Sequence, residues 1–384
     1  MGSGRLLRRQ PEIPLGRKLL EINWGLVLLL SLLAAVGCVM LYSAAGGSME
    51  PWAERQALRF GFAVLVLIVV ALIDIRFWFR LAYPIYIAAV LMLVAVDIMG
   101  ATRMGAERWI DLGFIQLQPS EVMKVALVLA LARYFHSVPP EDVGRPLVMV
   151  VPVLMAALPA ALVLVQPDLG TATMLLLAAG AMLFLAGMRL WMFAVILVIV
   201  AAAVPIGWEL LHDYQRLRVL TFLNPENDPL GSGYHILQSL IALGAGGIWG
   251  RGFLMGTQGH LNFVPEKQTD FIFAMLAEEF GLVGSIGLLC LYLLVLAYGF
   301  AIALRARNHF ARLLSLGVTV NLFLYVAINV SMVVGAIPVV GIPLPLISYG
   351  GTVMLSLMVS YGLMMSAYVH RDQRISRRGL SEEG

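Results

Sequence analysis

Charge is what this chain most lacks. Asp, Glu, Lys and Arg make up 13% of its 384 residues, while 60% are hydrophobic. Ordinary globular chains carry about 25% charged residues. With a mean hydropathy of +0.89, the composition excludes a soluble domain and implies an integral membrane protein. Helices are its expected elements, because in lipid each helix satisfies its own backbone hydrogen bonds. Cysteine is almost absent. Cys38 and Cys290 each sit within an apolar run, which excludes a disulfide framework, a metal quartet and a Cys-x-x-Cys pair. Both are expected to be buried, inert thiols. No P-loop is present. The glycine run Gly244-Ala245-Gly246-Gly247-Ile248-Trp249-Gly250 misses the dinucleotide-binding spacing and follows no strand. It reads as close packing rather than a phosphate cradle. No internal repeat occurs, and low complexity is confined to short tails. The net charge of +3 says little about partners, and no nucleic acid is expected among them.

Apolar segments of roughly spanning length fall at Trp24–Tyr42, Ala57–Ile73, Phe79–Val96, Glu121–Phe135, Leu147–Val165, Ala172–Ala186, Trp191–Leu211, Leu282–Leu304, Leu313–Val334 and Val353–Tyr368. The expected fold is therefore all-α: a polytopic membrane protein of about ten transmembrane helices. A large extracytoplasmic loop, residues 212–269, separates spans seven and eight. A tail of residues 1–23 precedes the domain of residues 24–368, and residues 369–384 form a second tail. The first run ends in Tyr42-Ser43-Ala44-Ala45-Gly46, which looks like a signal-peptidase site. The run is longer than a typical h-region, so it reads as an uncleaved first span.

Orientation follows from Lys and Arg. With the N-terminus inside, seventeen of the 26 basic residues fall in cytoplasmic segments and eight in outer ones, with Lys124 inside a span. Such a bias places both termini in the cytoplasm and the polar loops outside. No soluble nucleotide reaches those outer surfaces.

Two segments break the regular pattern. Residues 270–304 as one helix would rise roughly 50 Å, too long for a core of ~30 Å. Gly281 and Gly284 offer a break, which predicts a half-helix from Asp270 to Phe280 and a span from Leu282. Glu278 and Glu279 then lie near the break, facing protein or water. The loop Gly335–Pro345 is apolar but holds three prolines and two glycines, so it cannot be a regular helix. Apolar irregular backbone must be buried in protein or line a cavity. It is either a packing plug or a wall for a lipid-linked substrate.

Few charges need explaining, and they cluster. Val264-Pro265-Glu266-Lys267-Gln268-Thr269-Asp270 runs straight into Phe271-Ile272-Phe273. Thr269 or Asp270 reads either as a helix cap or as a functional group. Glu121 and Lys124 share one face of the fourth span at i, i+3. Charges within a span usually pair and mark a pathway, so they are either a structural pair or a site. Upstream, Trp109 reads as an interfacial anchor and Arg108 as a headgroup contact, or both face a sugar or phosphate. Arg216 and Arg218 read as solvated charges, Glu226 and Asp228 as turn residues. His235 has no second ligand at metal spacing.

Taken together, these motifs resemble a known family. From Arg218 the chain reads R-V-L-T-F-L-N-P-E-N-D-P-L-G-S-G-Y-H, then G-R-G, G-T-Q and V-P-E-K-Q-T-D-F-I-F with A-E-E-F-G. Later comes G-I-P-L-P-L-I-S-Y-G-G. This closely resembles the SEDS family of bacterial cell-wall proteins. Within it, N-P-E-N-D-P, G-T-Q and L-N-F favour the elongation (RodA) type over the division (FtsW) type. The likeness runs from the first span to Tyr368. Ser331 and Thr352 depart from it, where the family pattern has Gly and Ser.

The resemblance implies a ten-span peptidoglycan glycosyltransferase. It would polymerise lipid II at the outer membrane face and release undecaprenyl pyrophosphate. A class B penicillin-binding protein, which cross-links the product, and other membrane proteins of the elongation machinery are the implied partners. The family's essential outer-loop acid falls on Asp270, its membrane pair on Glu121 and Lys124, and its outer-loop Trp on Trp109. At Asp270 this decides for function over capping. Asp270 is expected as general base, with Glu266 and Lys267 beside it at the substrate. Glu121 would orient Lys124 or the acceptor. Arg108, Lys124, Arg216 and Arg218 are candidates to neutralise the leaving pyrophosphate; a divalent cation, Mg2+ or Mn2+, would serve the same end. A lipid II flippase is the alternative, since broken helices and membrane charges also suit transport. A non-catalytic scaffold is the third reading.

Overall fold

The computed structural model of the chain describes residues 14–99, 101–103, 106–111, 116–210, 216, 220–221, 232–260, 266–373 and 375–376. Among them are α1 (Leu15–Glu21), α2 (Trp24–Ala44), α3 (Ala53–Leu72), α4 (Ile75–Met99), α5 (Pro119–Ser137), α6 (Pro146–Val165) and α7 (Leu169–Leu185). Then follow α8 (Leu190–Leu210), α9 (Ser232–Gly246), α10 (Thr257–His260), α11 (Ile272–Arg305), α12 (His309–Val333) and α13 (Gly351–Val369). Each segment expected to span overlaps one of these helices. Seven of them (α2, α3, α4, α6, α11, α12 and α13) are long and apolar enough to cross a membrane. The apolar stretches Leu169–Leu185 of α7 and Leu190–Ala202 of α8 are shorter, and α5 carries three charges, Glu121, Lys124 and Arg133.

The ends of these helices are set locally. Asn23 accepts from Leu26 N to start α2, and Asn308 accepts from Ala311 N to start α12. Asp168 starts α7, accepting from both the backbone N and the hydroxyl of Thr171. Such caps satisfy first-turn N–H groups that lipid could not. Proline occupies the first turn of α5 and α6, where its missing N–H costs nothing.

The bundle is organised around α5, α12 and α13, which are buried on most faces. α13 packs on α3 and α12, and α5 packs on α4, α7 and α12. Small residues set the approach: a Cβ on Gly317 of α12 would stand 2.5 Å from Val128 Cγ1 of α5. Without a hydrophobic drive between helices in lipid, such close packing holds the bundle. The outer helices leave Leu and Val side chains exposed along α6 and α8. Lipid exposure also corrects the expectation for the cysteines. Cys290 is exposed and Cys38 half-buried, because an apolar run does not distinguish a core-facing from a lipid-facing position.

Two segments expected as outer loop carry regular structure. Between α4 and α5, β1 (Ala101–Arg103), β2 (Ala106–Asp111) and β3 (Gln116–Leu117) form an antiparallel sheet in that order. Ala101 pairs with Trp109, and Ile110 with Leu117. β1 and β3 are too short for alternation to reveal them, and β2, A-E-R-W-I-D, does not alternate. α9 lies within the long segment 212–269 and packs on α11. Glu226 and Asp228, which read as turn residues, lie outside the described residues.

The predicted break in α11 is present at Gly281, with φ 66° and ψ −161°. The segment after α9 fills it. Leu282 N donates to Gly247 O at 2.9 Å and Val283 N to Ile248 O at 3.1 Å. Arg251 N and Gly252 N return bonds of 3.0 Å to Glu278 O and Glu279 O. This backbone approach explains the glycine run: a Cβ on Gly246 or Gly250 would collide with the carbonyl oxygen of Ala277 or Glu279. Glu278 and Glu279 face protein. Glu278 accepts from Gln258 N at 2.9 Å and Gly259 N at 3.3 Å, capping α10, and Ser43 of α2 donates to Glu279. The A-E-E-F motif thus ties the half-helix to its surroundings.

Candidate active site

The site forms where α5, α7, α11 and α13 begin and α12 ends. The helix α11 starts at Ile272, with Phe271 as its N-cap and no side-chain cap bond. Asp270 lies one residue before that N-cap. The turn 266–271 closes on itself, as Thr269 N donates to Glu266 O at 3.0 Å and Thr269 Oγ1 to Glu266 Oε2 at 3.3 Å. Glu266 itself has φ 48°.

Three consecutive carbonyls of this turn are held from the other side. Tyr349 N donates to Gln268 O at 2.8 Å, Ser348 Oγ to Thr269 O at 2.5 Å, and Asn329 Nδ2 to Asp270 O at 2.9 Å. The backbone of Asp270 is thereby fixed, and the residue as a whole is half-buried. A Cβ on Gly341, at φ 71°, would stand 3.4 Å from Asp270 Oδ2. The apolar loop 335–350 is thus the wall beside Asp270. Ile342, Leu344, Leu346 and Ile347 are buried within the bundle. Tyr292 of α11 donates to Pro345 O, and Asn329 Nδ2 donates to Ile342 O at 2.7 Å. The loop is at once a packing plug and one side of the site.

Beneath lies the buried pair. Lys124 Nζ stands 2.6 Å from Glu121 Oε1, with both residues 3% exposed. Tyr325 Oη of α12 donates to Glu121 Oε2 at 2.5 Å and contacts Lys124 Nζ. Ser356 of α13 adds a donor to Glu121 at 3.3 Å, and Met174 Sδ of α7 lies 3.8 Å from Lys124 Nζ. Four helices contribute, so neither charge is left without partners. The N-terminal ends of α5, α7, α11 and α13 add positive dipole ends to the same region.

The remaining candidates are scattered. Lys267 Nζ donates to Gly259 O at 2.8 Å, and burial pulls its amine below the ordinary lysine value. Arg216 Nη2 donates to Glu209 O at 2.5 Å, at the end of α8. Trp109 is half-buried in β2. Arg218 and the side chains of Arg108 and His235 lie outside the described residues. Sequence reasoning missed Tyr325, Asn329, Ser348 and Arg59. The Arg59 guanidinium of α3 lies 4.8 Å from the centroid of the Tyr349 ring. Among the described residues, no three His, Cys, Asp or Glu side chains converge to hold a metal. The described residues therefore offer no protein-held metal site.

A kinked helical bundle with a buried ion pair and a clamped acid at one end defines a multi-pass membrane protein with a polar site among its helices. Residues 23–373 match the family model described as cell cycle protein, which covers FtsW, RodA and SpoVE. The chain belongs to this family. It is 44% identical to the peptidoglycan glycosyltransferase MrdB of Escherichia coli over 351 residues, covering 90% of this chain and 93% of that one. It is 35% identical to stage V sporulation protein E of Bacillus subtilis, over 89% and 95% of the two chains. The fold is similar to that of the rod shape determining protein RodA of Thermus thermophilus, with TM-score 0.69 and 30% identity over 92% and 98% of the chains. It is also similar to a chain of a peptidoglycan synthase complex that coordinates polymerization and crosslinking, with TM-score 0.80, 35% identity and coverage of 92% and 99%.

Proposed function

We propose that this chain is a peptidoglycan glycosyltransferase of the bacterial inner membrane, polymerising lipid II during elongation with Asp270 as general base. Family membership and the likeness to MrdB support the reaction class. The observation that carries the site is the clamp on the carbonyls of Gln268, Thr269 and Asp270, which fixes the backbone of one half-buried acid beside an apolar loop. In the proposed step, the GlcNAc 4-hydroxyl of the acceptor attacks the anomeric carbon of the lipid-linked MurNAc. A new glycosidic C–O bond forms as the bond to the pyrophosphate breaks. Asp270 takes the hydroxyl proton, and undecaprenyl pyrophosphate leaves. The substrate carries the energy, so no nucleotide is required. A base of this kind contributes about 10²–10⁴-fold. Lys124, the arginines at positions 108, 216 and 218, and the helix N-terminal ends are the groups that favour the leaving charge.

The outer face is the active face in this reading, with both termini inside, and a class B penicillin-binding protein cross-links the product. The test is lipid II polymerisation by the purified protein with that partner in detergent. Asp270→Asn is expected to lower the rate about 10²–10⁴-fold; wild-type polymerisation would sink the base assignment. The kinked α11 and the buried pair also suit a lipid II transporter. Polymerisation in detergent, where no bilayer separates two sides, distinguishes bond formation from transport. A scaffold alone predicts normal rod growth with Asp270→Asn.

A further inference from the structure

Asn329 and Tyr325 are four residues apart on α12, so their side chains leave one face of the helix, about 6 Å apart along its axis. Tyr325 engages the Glu121–Lys124 pair, and Asn329 engages Asp270. Asn329 is 0% exposed, and its Nδ2 donates at 2.9 Å to Asp270 O and at 2.7 Å to Ile342 O. Two carbonyl acceptors fix the amide, since the flipped group would set oxygen against oxygen. Among the described residues, Asn329 Oδ1 is buried without a hydrogen bond. An apolar side chain of similar volume would avoid that unmatched acceptor. Packing alone is therefore a poor account of an amide here; its two donated bonds are the better one.

We propose that Asn329 is a positioning residue for Asp270, and that Tyr325 locks the same helix face to the buried Glu121–Lys124 pair. Neither touches the reacting atoms. Asn329 joins the turn 266–271 to the apolar loop through one amide, and so sets where the Asp270 carboxylate stands. Tyr325 sets the depth and rotation of α12 against α5. The two ends of the site then move as one unit. Misplacing a base by about 1 Å costs on the order of 10²-fold in rate, without changing how the rest of the substrate binds. This inference rests on Asp270 acting as the base.

The experiment measures kcat and KM for lipid II polymerisation by the protein with its cross-linking partner. Asn329→Leu keeps the volume and deletes the donors. Its kcat is expected to fall about 10–100-fold, with KM within about threefold. Tyr325→Phe deletes one hydroxyl only, and its kcat is expected to fall about 3–10-fold. It keeps the test open should Asn329→Leu not yield folded protein. In the Asp270→Glu background, where the carboxylate is already displaced, Asn329→Leu should cost no more than about twofold further. Penalties that multiply, a loss confined to KM, or wild-type kcat in both single variants overturns the proposal. If Asp270→Glu has no measurable rate, the split between kcat and KM decides alone. A wild-type rate for Asp270→Asn is a different failure: it removes the base reading itself.

Discussion

Lys124 Nζ and Glu121 Oε1 lie 2.6 Å apart, one turn into α5 and 3% exposed. A buried pair is weak evidence of stability, but removing one partner strands the other charge at a cost of about 3–5 kcal/mol. Glu121→Ala is therefore expected to lower the melting temperature in detergent and reduce folded yield. The double variant Glu121→Leu with Lys124→Met, which has no charge to strand, should recover most of that stability. It should not recover lipid II polymerisation. Full activity in the double variant would assign the pair to folding alone.

The kink at Gly281 depends on the glycines that approach it. Gly250 has φ 80°, and its Cβ would collide with Glu279 O. Gly250→Ala combines a left-handed backbone with a clash against main chain, so a loss of about 2 kcal/mol or more is expected. Gly244 sits in α9 with open space around its Cβ position. Gly244→Ala should be neutral or stabilising by up to about 1 kcal/mol. Thermal unfolding of the two variants side by side checks the contrast; equal effects would remove the close-approach account.

His370 follows α13 and is almost fully buried. Its Nδ1 lies 3.0 Å from Ser366 O, and among the described residues its Nε2 is buried without a hydrogen bond. Burial, the largest influence, lowers its pKa from 6.5; Lys18 and Arg76 act the same way, against Ser366 O and Asp74. Between the folded and unfolded values only the unfolded chain binds the proton. Stability is therefore expected to fall as pH drops through about 6.5, with the loss complete below the folded value. His370→Gln should flatten this part of the dependence of melting temperature on pH between 7.5 and 5.5. An unchanged slope would show that His370 does not set it.

The positive-inside bias of the loops predicts the face on which Asp270 lies. In a chain with Cys38→Ala and Cys290→Ala, Gln268→Cys should react with an impermeant thiol reagent in spheroplasts. Asp372→Cys should react only after the membrane is opened. The reverse pattern would put Asp270 on the cytoplasmic side and remove the extracytoplasmic reading.

Much of the fold was legible because its signals are local. Apolar length gave the helices, an over-long helix with Gly281 gave the break, and the glycine run gave a close backbone approach. The i, i+3 spacing of Glu121 and Lys124 gave their pairing. Misjudged features depended on which way a helix faces. Lipid and core are equally apolar, so Cys290 reads the same whether buried or exposed.

The sequence by itself determined a charge-poor helical bundle, its broken helix and the few charged residues that chemistry can use. Only the tertiary structure decided that Tyr325 meets Glu121 across 204 residues of chain, and that Asn329 meets Asp270 across 59. A lone Tyr or Asn in an apolar helix looks the same in sequence wherever it points. Its partner is set by how α5, α11, α12 and the loop 335–350 pack, and a contact of that range has no local signature.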